Sequence, residues 1–247
     1  MPELDDIKPY GHEGSKRAQV EKMFDEIAPS YDSLNHILSL GVDRVWRKEA
    51  INYLKNHSVI PPKLILDVAT GTGDFALLAT QELHPDHITG IDISEGMMSA
   101  GRQKIAEKNY TDIITLQYED CSSMSFSDKY FDAIISSFGL RNFQNLDLCL
   151  QEMFRVLKTD GTIVVIDLCT PTTFPMKQFF WCYKKVVMPV IGRLISHNQH
   201  AYTYLPETMD AIPQGQTMAE KFRKAGFKNV RFHRQFLGMS LLYAGNK

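Results

Sequence analysis

Two glycines and a following acid carry the first chemical signal in the sequence. The segment "LILDVATGTGDFALLA" has Gly71 and Gly73 in a G-x-G-x-x-A spacing, which allows a tight turn and brings backbone amides close to a ligand. Asp92 follows about 20 positions later, where an acidic side chain accepts hydrogen bonds from the ribose hydroxyls of an adenosine. The spacing predicts an adenosine site. Two alternatives stay open: a plain glycine turn, and an Asp92 that caps the next helix.

Acidic residues accompany each of the first three predicted strands. Asp67 lies within the first, Asp92 ends the second, and Asp120 with Cys121 follows the third. The Asp120 carboxylate could accept from an adenine amino group while the Cys121 amide reaches a ring nitrogen; the alternative is an ordinary polar turn. Carboxylates favour a cationic ammonium and sulfonium and disfavour a pyrophosphate. The pattern therefore favours S-adenosylmethionine over NAD.

An NAD-dependent oxidoreductase is the competing enzyme class. Such enzymes need a positioned acid or base, commonly a His or a Tyr-x-x-x-Lys helix. The only Tyr-x-x-x-Lys spacing in the sequence joins Tyr243 and Lys247, with a glycine inside it, and we interpret it as chance. A second alternative is a scaffold of the same fold that binds a cofactor without turnover.

Alternating strands and helices must position these residues. Apolar runs predict parallel strands at 64–68, 88–91, 113–117, 131–136 and 162–166, with helices near 75–82, 96–107 and 146–157. Five such strands imply a doubly wound α/β sheet, which binds ligands beyond the carboxyl ends of its strands. A helix at 218–225, ended by Gly226, and strand-like runs at 230–236 and 240–244 complete the chain.

Helical segments flank the predicted sheet. Residues 1–15 are polar and are expected to form a mobile tail, and residues 16–247 a single domain. Helices are predicted from Ser15 to Pro29, at 34–38 and at 43–54, the last capped by Asp43. Residues at about 174–212 are expected to form a helical insertion that faces the substrate or a membrane.

The composition excludes several partners and compartments. Lys and Arg total 27 against 29 Asp and Glu, so no strong field favours nucleic acid. The four cysteines are unevenly spaced and form no C-x-x-C pair, which indicates reduced thiols and a cytoplasmic location. No secretory signal is expected, and no apolar run reaches the length of a membrane span.

Four motifs make the sequence resemble a known family: "DVATGTGD", "GIDIS", "SSFGLRNF" and "HAYTYLPETM". They are similar to the quinone-biosynthesis C-methyltransferases of the menaquinone and ubiquinone pathways, a branch of the class I S-adenosylmethionine-dependent methyltransferases. The resemblance runs from about Phe24 to the C-terminus. It implies a seven-stranded sheet with an antiparallel last strand, and methyl transfer to the ring of demethylmenaquinol. A benzoquinol of the ubiquinone pathway stays open as the alternative acceptor.

The motifs also imply site residues. Those matched to the family's cofactor positions are Thr72, Asp92, Asp120, Cys121 and Ser137. The full predicted cofactor set is Asp67, Gly71, Thr72, Gly73, Asp92, Asp120, Cys121 and Ser137.

The segment "SFGLRNF" follows the fourth strand, so Arg141 and Asn142 are expected to face the reactive end of the cofactor. With a pKa above about 12, Arg141 is a poor base, but it can stabilise a quinolate oxygen or orient a water; the alternative is a structural ion pair. Tyr202 is a further candidate contact to the quinol, and its alternative is an aromatic core position. His197 and His200 lack an evident third ligand, so no metal is expected.

A lipophilic isoprenoid quinol needs an apolar entrance. Residues 174–194 combine large apolar side chains with lysines, which is typical of an interfacial helix at a membrane surface. Phe179, Phe180 and Trp181 are expected on its exposed apolar face. The alternatives are a lid packed on the core or the face of a homo-oligomer.

Overall fold

The computed structural model describes residues 3–39, 41–184 and 199–247, and for residues 37, 38 and 199–202 it describes the backbone alone. The apolar runs form the strands β1 Leu64–Val68, β2 His87–Asp92, β3 Ile114–Tyr118, β4 Phe131–Ser137, β5 Leu157–Leu168, β6 Lys228–Arg234 and β7 Ser240–Asn246. They make one sheet in the order β3-β2-β1-β4-β5-β7-β6. Strand β7 pairs antiparallel with β5 and β6, whereas the other pairs are parallel. The predicted α/β sheet with an antiparallel last strand is confirmed.

Helices cover both faces of this sheet. They are α1 Lys16–Ile27, α2 Tyr31–Ser39, α3 Val42–His57, α4 Asp74–Leu83, α5 Glu95–Glu107, α6 Leu146–Val156, α7 Met176–Cys182, α8 Gln199–Ala211 and α9 Gln216–Ala225. Ser15 caps α1 by accepting from the Ala18 N–H, and Gly226 ends α9 at φ +113°. Within the described residues, no helix is long and apolar enough to cross a membrane.

Two apolar clusters lie on opposite faces of the sheet. Neighbouring strand residues such as Ile65 and Leu66 belong to different clusters, because side chains alternate along a strand. One cluster includes side chains of α6 and α9, and the other includes side chains of α3, α4 and α5. Burial on both faces explains why the central strands read as continuous apolar runs.

The N-terminal segment differs from the mobile tail expected for residues 1–15. Leu4–Asp6 forms a 3-10 turn, and Ile7 is buried against a cluster that includes Val20. The Lys16 Nζ donates to the Leu4 carbonyl at 2.8 Å. Composition alone missed this packing because two isolated apolar residues, Leu4 and Ile7, contact the clusters without forming a periodic pattern.

Two local expectations are wrong. Asp43 does not cap α3, because Gly41 occupies the N-cap at φ +76° and Asp43 lies buried, bonded to Ser39 and Arg47. Phe180 was expected on the exposed face of α7 but is buried, whereas Phe179 beside it is exposed.

Candidate active site

A narrow cavity, here called the strand-end cavity, lies at the carboxyl ends of β2 and β4 beside the glycine loop that follows β1. Helix α1 and the start of α2 supply its outer wall. The structure brings together in its lining five of the predicted cofactor residues, Gly71, Asp92, Asp120, Cys121 and Ser137, together with Asn142.

Asp92 fastens the glycine loop to the end of β2. Its Oδ2 accepts from the Gly71 N–H at 2.8 Å, and its Oδ1 accepts from the Ser94 N–H at 2.9 Å. Burial raises the pKa of Asp92 against the effect of these hydrogen bonds. A carboxylate accepts about four hydrogen bonds, so acceptor positions remain for a vicinal diol. The cap of α5 is Ser94, whose Oγ accepts from the Met97 N–H.

Asp120 lies in the turn after β3. Its Oδ1 accepts from the Ser122 N–H at 2.8 Å and from the Ser122 hydroxyl at 2.7 Å, and the Arg17 Nε lies 2.6 Å from its Oδ2. Burial opposes ionisation, but these partners lower the pKa of Asp120. Burial also raises the pKa of the neighbouring Cys121 thiol, whose Sγ lies 2.8 Å from that of Cys149.

The charges of the strand-end cavity suit an adenosine ligand with a cationic centre. Among the described residues of its lining, Asp92, Glu119 and Asp120 are acidic, and Arg17 is the one cation. Arg17 pairs with Asp120, so the acidic groups of this lining outweigh its one cation. This donor and acceptor set fits S-adenosylmethionine and does not fit a pyrophosphate.

Three predicted cofactor residues lie outside this lining. Asp67 is fully buried beneath the loop, where its Oδ2 accepts from the Thr70 hydroxyl at 2.7 Å and burial raises its pKa to about 7. Gly73 begins α4 at φ +77°. The Thr72 hydroxyl donates to Asp32 at 2.6 Å, away from the cavity. As direct cofactor contacts these three residues stay predictions.

A second and larger cavity, here called the helical cavity, has a volume of about 650 Å³. Its walls come from α1, α2, α3, α7 and α8 and from the turn between β6 and β7. Among the described lining residues, Arg141 is the one cation and Asp43 the one carboxylate; the others are mostly apolar. Such a cavity suits a large apolar ligand with a few polar atoms.

Arg141 is held rigidly at the wall of the helical cavity. Its Nη1 donates to the Asp167 Oδ1 and to the Phe138 carbonyl, both at 2.6 Å, and its backbone N–H donates to the Asp167 Oδ2 at 3.1 Å. These side-chain bonds use Nη1, which leaves Nε and Nη2 for a ligand. The structural ion pair given as the alternative is present, and Arg141 also lines the helical cavity; its contact with a ligand stays a prediction. Sequence reasoning missed Asp167, although an acid in the apolar run "GTIVVIDL" was a usable signal.

The two cavities meet at four shared residues. Phe24, Tyr31, Phe138 and Asn142 line both. Burial raises the pKa of Tyr31, and the nearby charges of Arg141 and Arg47 oppose that shift. The two cavities are therefore adjacent, and three of the four residues on their common boundary are aromatic. Nothing local in the sequence distinguishes Tyr31 from a core tyrosine.

The remaining predicted residues fall in and near α8. Tyr202 lies in α8, but its side chain and the whole of His197 lie outside the described residues. Tyr204 is buried in the lining of the helical cavity, and its hydroxyl has no hydrogen-bond partner among the described residues. Among all the described residues of the chain, no group of three or more His, Cys, Asp and Glu side chains could hold a metal ion.

The sheet order, the antiparallel β7 and a nucleoside-type cavity at the strand ends define the class I methyltransferase fold. Solved structures with this fold superpose well. The [4+2]-cyclase SpnF has a TM-score of 0.68 at 17% identity, covering 95% of this chain and 97% of its own. Phosphoethanolamine N-methyltransferase 2 of Haemonchus contortus, solved with S-adenosyl-L-methionine, has a TM-score of 0.57 at 14% identity, covering 81% of this chain and 52% of its own.

The chain belongs to the ubiE/COQ5 methyltransferase family, whose model matches residues 12–247. A demethylmenaquinone methyltransferase of Bacteroides fragilis is 52% identical over 241 residues, covering 98% of this chain and 97% of the relative. A ubiquinone/menaquinone biosynthesis C-methyltransferase UbiE of Geotalea daltonii is 40% identical over 233 residues, covering 94% and 97%. The protein is therefore an S-adenosylmethionine-dependent methyltransferase, and the predicted family and enzyme class are confirmed over the NAD-dependent alternative.

Proposed function

We propose that the protein transfers a methyl group from S-adenosylmethionine to a ring carbon of demethylmenaquinol and so produces menaquinol. The observation that carries the proposal is the junction of the strand-end cavity with a large apolar cavity. A prenylated quinol is apolar except at its two oxygens, which matches the lining of the helical cavity. The name of the Bacteroides fragilis relative supports a naphthoquinol as the acceptor.

In the strand-end cavity, Asp92 would accept from the ribose hydroxyls and Asp120 from the adenine amino group. The Cys121 amide would reach a ring nitrogen, and Ser137 would contact the cofactor at the end of β4. Gly71, at φ +56°, makes the tight turn that would bring backbone amides close to the methionine end. When bound, S-adenosylmethionine supplies an electrophilic methyl group on a sulfonium.

In the helical cavity, the side chains would prepare the quinol for attack. Transfer of a hydroxyl proton to a water molecule would leave negative charge on that oxygen and make the neighbouring ring carbon nucleophilic. As the carbon bonds to the methyl group, the bond from that methyl to sulfur breaks and S-adenosylhomocysteine leaves. The ring carbon then loses its hydrogen as a proton while the oxygen regains one, so the product is the aromatic methylated quinol and one proton is released in total. Arg141, fixed by Asp167, would donate to that oxygen from Nε or Nη2 and stabilise the charge. Asn142 lies at the junction and would help to orient the ring, while Phe24 and Phe138 exclude water and align the carbon with the methyl group.

A benzoquinol of ubiquinone biosynthesis is a second candidate acceptor. The observation that favours it is the name of the Geotalea daltonii relative, which includes both quinone pathways. The two acceptors share the prenyl tail and the two ring oxygens, so the same cavity residues would serve either.

The mouth of the helical cavity is proposed to touch a membrane from the cytoplasmic side. Phe174, Phe179 and Trp181 are 82%, 66% and 58% exposed, which is unusual for large apolar side chains. Phe179 and the exposed Leu237 also line the helical cavity, so they mark an apolar opening through which a prenyl tail could extend. Residues 185–194 of the expected interfacial segment lie outside the described residues.

Vesicle co-sedimentation tests the membrane contact. We expect the wild type to pellet with vesicles more than a Phe179→Glu/Trp181→Glu variant does. Val59→Glu is the matched control, because Val59 is exposed but lies outside both cavities. Equal pelleting of wild type and double variant would contradict the contact.

The acceptor is tested with labelled S-adenosylmethionine and either reduced demethylmenaquinone or a reduced demethylated benzoquinone. Mass analysis should find the methyl group on the naphthoquinol, with less product from the benzoquinol. If protein that binds S-adenosylhomocysteine gives no product from either quinol, the proposal is wrong.

A further inference from the structure

A buried carboxylate in the apolar wall of the helical cavity calls for an explanation. Asp43, at the start of α3, has a side chain only 6% exposed, and it is the one carboxylate among the described residues of that lining. Burying a charge is costly unless it is paired and hydrogen-bonded. The Arg141 mechanism makes no use of Asp43.

Asp43 is fixed from two sides. The Ser39 hydroxyl donates to its Oδ1 at 2.6 Å, and the Arg47 Nη1 donates to its Oδ2. Arg47 Nε also lies 3.3 Å from the Ser137 Oγ, and the guanidinium stacks over the Phe138 ring at 5.2 Å. Two hydrogen bonds fill about half of the acceptor positions of a carboxylate, which leaves positions for a ligand.

Asp43 and Arg141 present opposite chemistry in the lining of the same cavity. A guanidinium only donates, which suits the quinol oxygen that loses its proton, and an ionised carboxylate only accepts. We propose that Asp43 accepts a hydrogen bond from the hydroxyl that the quinol keeps, and that this contact selects the reduced acceptor over the oxidised quinone. The inference rests on the proposed function, because it concerns the ring bound in the helical cavity.

The selectivity follows from the hydrogen-bonding groups of the two redox forms. A quinone oxygen carries lone pairs and no proton, so facing Asp43 it would place two acceptors together without a donor. A site built around a buried polar group rejects a ligand that leaves the group unpaired more strongly than an apolar wall can. Since only the reduced ring is nucleophilic, the contact would keep the unreactive form out of the cavity.

The test measures the binding of one short-chain prenylated naphthoquinone, as quinol under dithionite and as quinone, to protein saturated with S-adenosylhomocysteine. We expect the wild type to bind the quinol about tenfold or more tighter than the quinone. Asp43→Asn should bring the ratio to within about threefold, because an amide donates as well as accepts. Part of that change should be a gain in quinone affinity, which a merely weakened fold would not produce.

Asp132→Asn is the matched control. Asp132 is also buried and paired, with Lys158 at 2.6 Å, but it lines neither cavity, so its variant should keep the wild-type ratio. Ser39→Ala is a second test that leaves the Asp43–Arg47 pair in place; its ratio should equal or exceed that of the wild type. An unchanged ratio of quinol to quinone affinity in Asp43→Asn, or a ratio near one in Ser39→Ala, would overturn this inference but would leave the proposed function standing. A wild type that binds neither form would overturn the proposed function.

Discussion

The strand-end cavity and the helical cavity are built from the chain in different ways. Turns that follow successive strands form the floor of the first, so its acids lie at fixed places along the sequence. The second is enclosed by helices from both ends of the chain, which meet only after folding. Under the proposed function, the sheet would fix where the nucleoside binds, and the added helices would determine which acceptor can reach it.

The chemistry of the two walls differs as well. The lining of the strand-end cavity offers several hydrogen-bond acceptors and backbone groups that a ligand can approach closely. The described lining of the helical cavity offers one guanidinium and one carboxylate in apolar surroundings. Changes in the first should therefore act on cofactor affinity, and changes in the second on turnover or acceptor choice. Four predictions test this division.

The largest effect is expected from Arg141→Ala. Loss of the donors to a developing quinolate should lower kcat by about 100- to 1000-fold, the range measured when an oxyanion donor is removed. The Kd of S-adenosylhomocysteine, measured by calorimetry, should stay within about twofold. Asp167→Asn, which loosens Arg141 without removing it, should cost less. Arg223→Ala, on the surface of α9, is the control, and unchanged kcat in Arg141→Ala would contradict the role.

Asp92→Ala should have the opposite effect to Arg141→Ala, because its main effect should be on cofactor affinity. The variant loses the anchor of the Gly71 amide and the acceptors for the ribose, so the Kd of S-adenosylhomocysteine should rise by about 100-fold. Calorimetry measures this directly, with Asp86→Ala, an exposed acid, as the control. Near wild-type affinity in Asp92→Ala would place the ribose elsewhere.

The strand-end cavity was predictable from the sequence because its signals are local. Apolar runs place the strands within a few residues; Asp92 ends β2, and Asp120 lies two residues after the end of β3. The limit appears at Thr72, which the motif matched to a cofactor position but whose hydroxyl bonds to Asp32. The direction of a side chain in a turn depends on backbone angles that residue types do not specify.

The helical cavity was largely unpredictable because its residues meet through tertiary packing. The motif identified Arg141, but Asp43 resembled a helix cap, and Asp167 stood in an apolar strand beside no visible partner. Periodicity marks which face of α7 or α8 is buried, but it does not reveal which distant helix that face meets. The buried Phe180 and exposed Phe179 show the same limit within a single turn.

Asp67, buried beneath the glycine loop, should make the stability of the folded protein depend on pH. Burial raises its pKa to about 7 from 3.8, so between these values the folded protein keeps a proton that the unfolded chain has lost. The contribution of Asp67 to the free energy of unfolding therefore falls as the pH rises from about 4 to about 7, and it is constant at higher pH. Asp67→Asn lacks this slope, and its Tm relative to wild type should increase across that window by at least about 2 °C. A Tm difference that stays constant with pH would contradict the raised pKa.

The smallest loss of catalytic efficiency is expected from Lys104→Met, and it should involve the binding of both the cofactor and the quinol. The Lys104 Nζ donates to Asp32 at 2.8 Å, to the Thr72 hydroxyl at 2.9 Å and to Asp74 at 2.6 Å. It therefore ties α2, whose Tyr31 lines both cavities, to the glycine loop. Partly exposed ion pairs contribute about 1 kcal/mol or less, so kcat/KM should fall only about two- to fivefold.

Which of the two binding constants changes in Lys104→Met is more informative than the size of the change. Since Lys104 touches neither cavity, the loss should appear both in the Kd of S-adenosylhomocysteine and in the KM of the quinol. Lys48→Met, which removes a surface pair with Glu82, should change neither constant. A change confined to one constant would mean that the glycine loop and α2 hold their positions independently. A change in both would show that the cofactor floor and the acceptor wall are set by one shared ion-pair network.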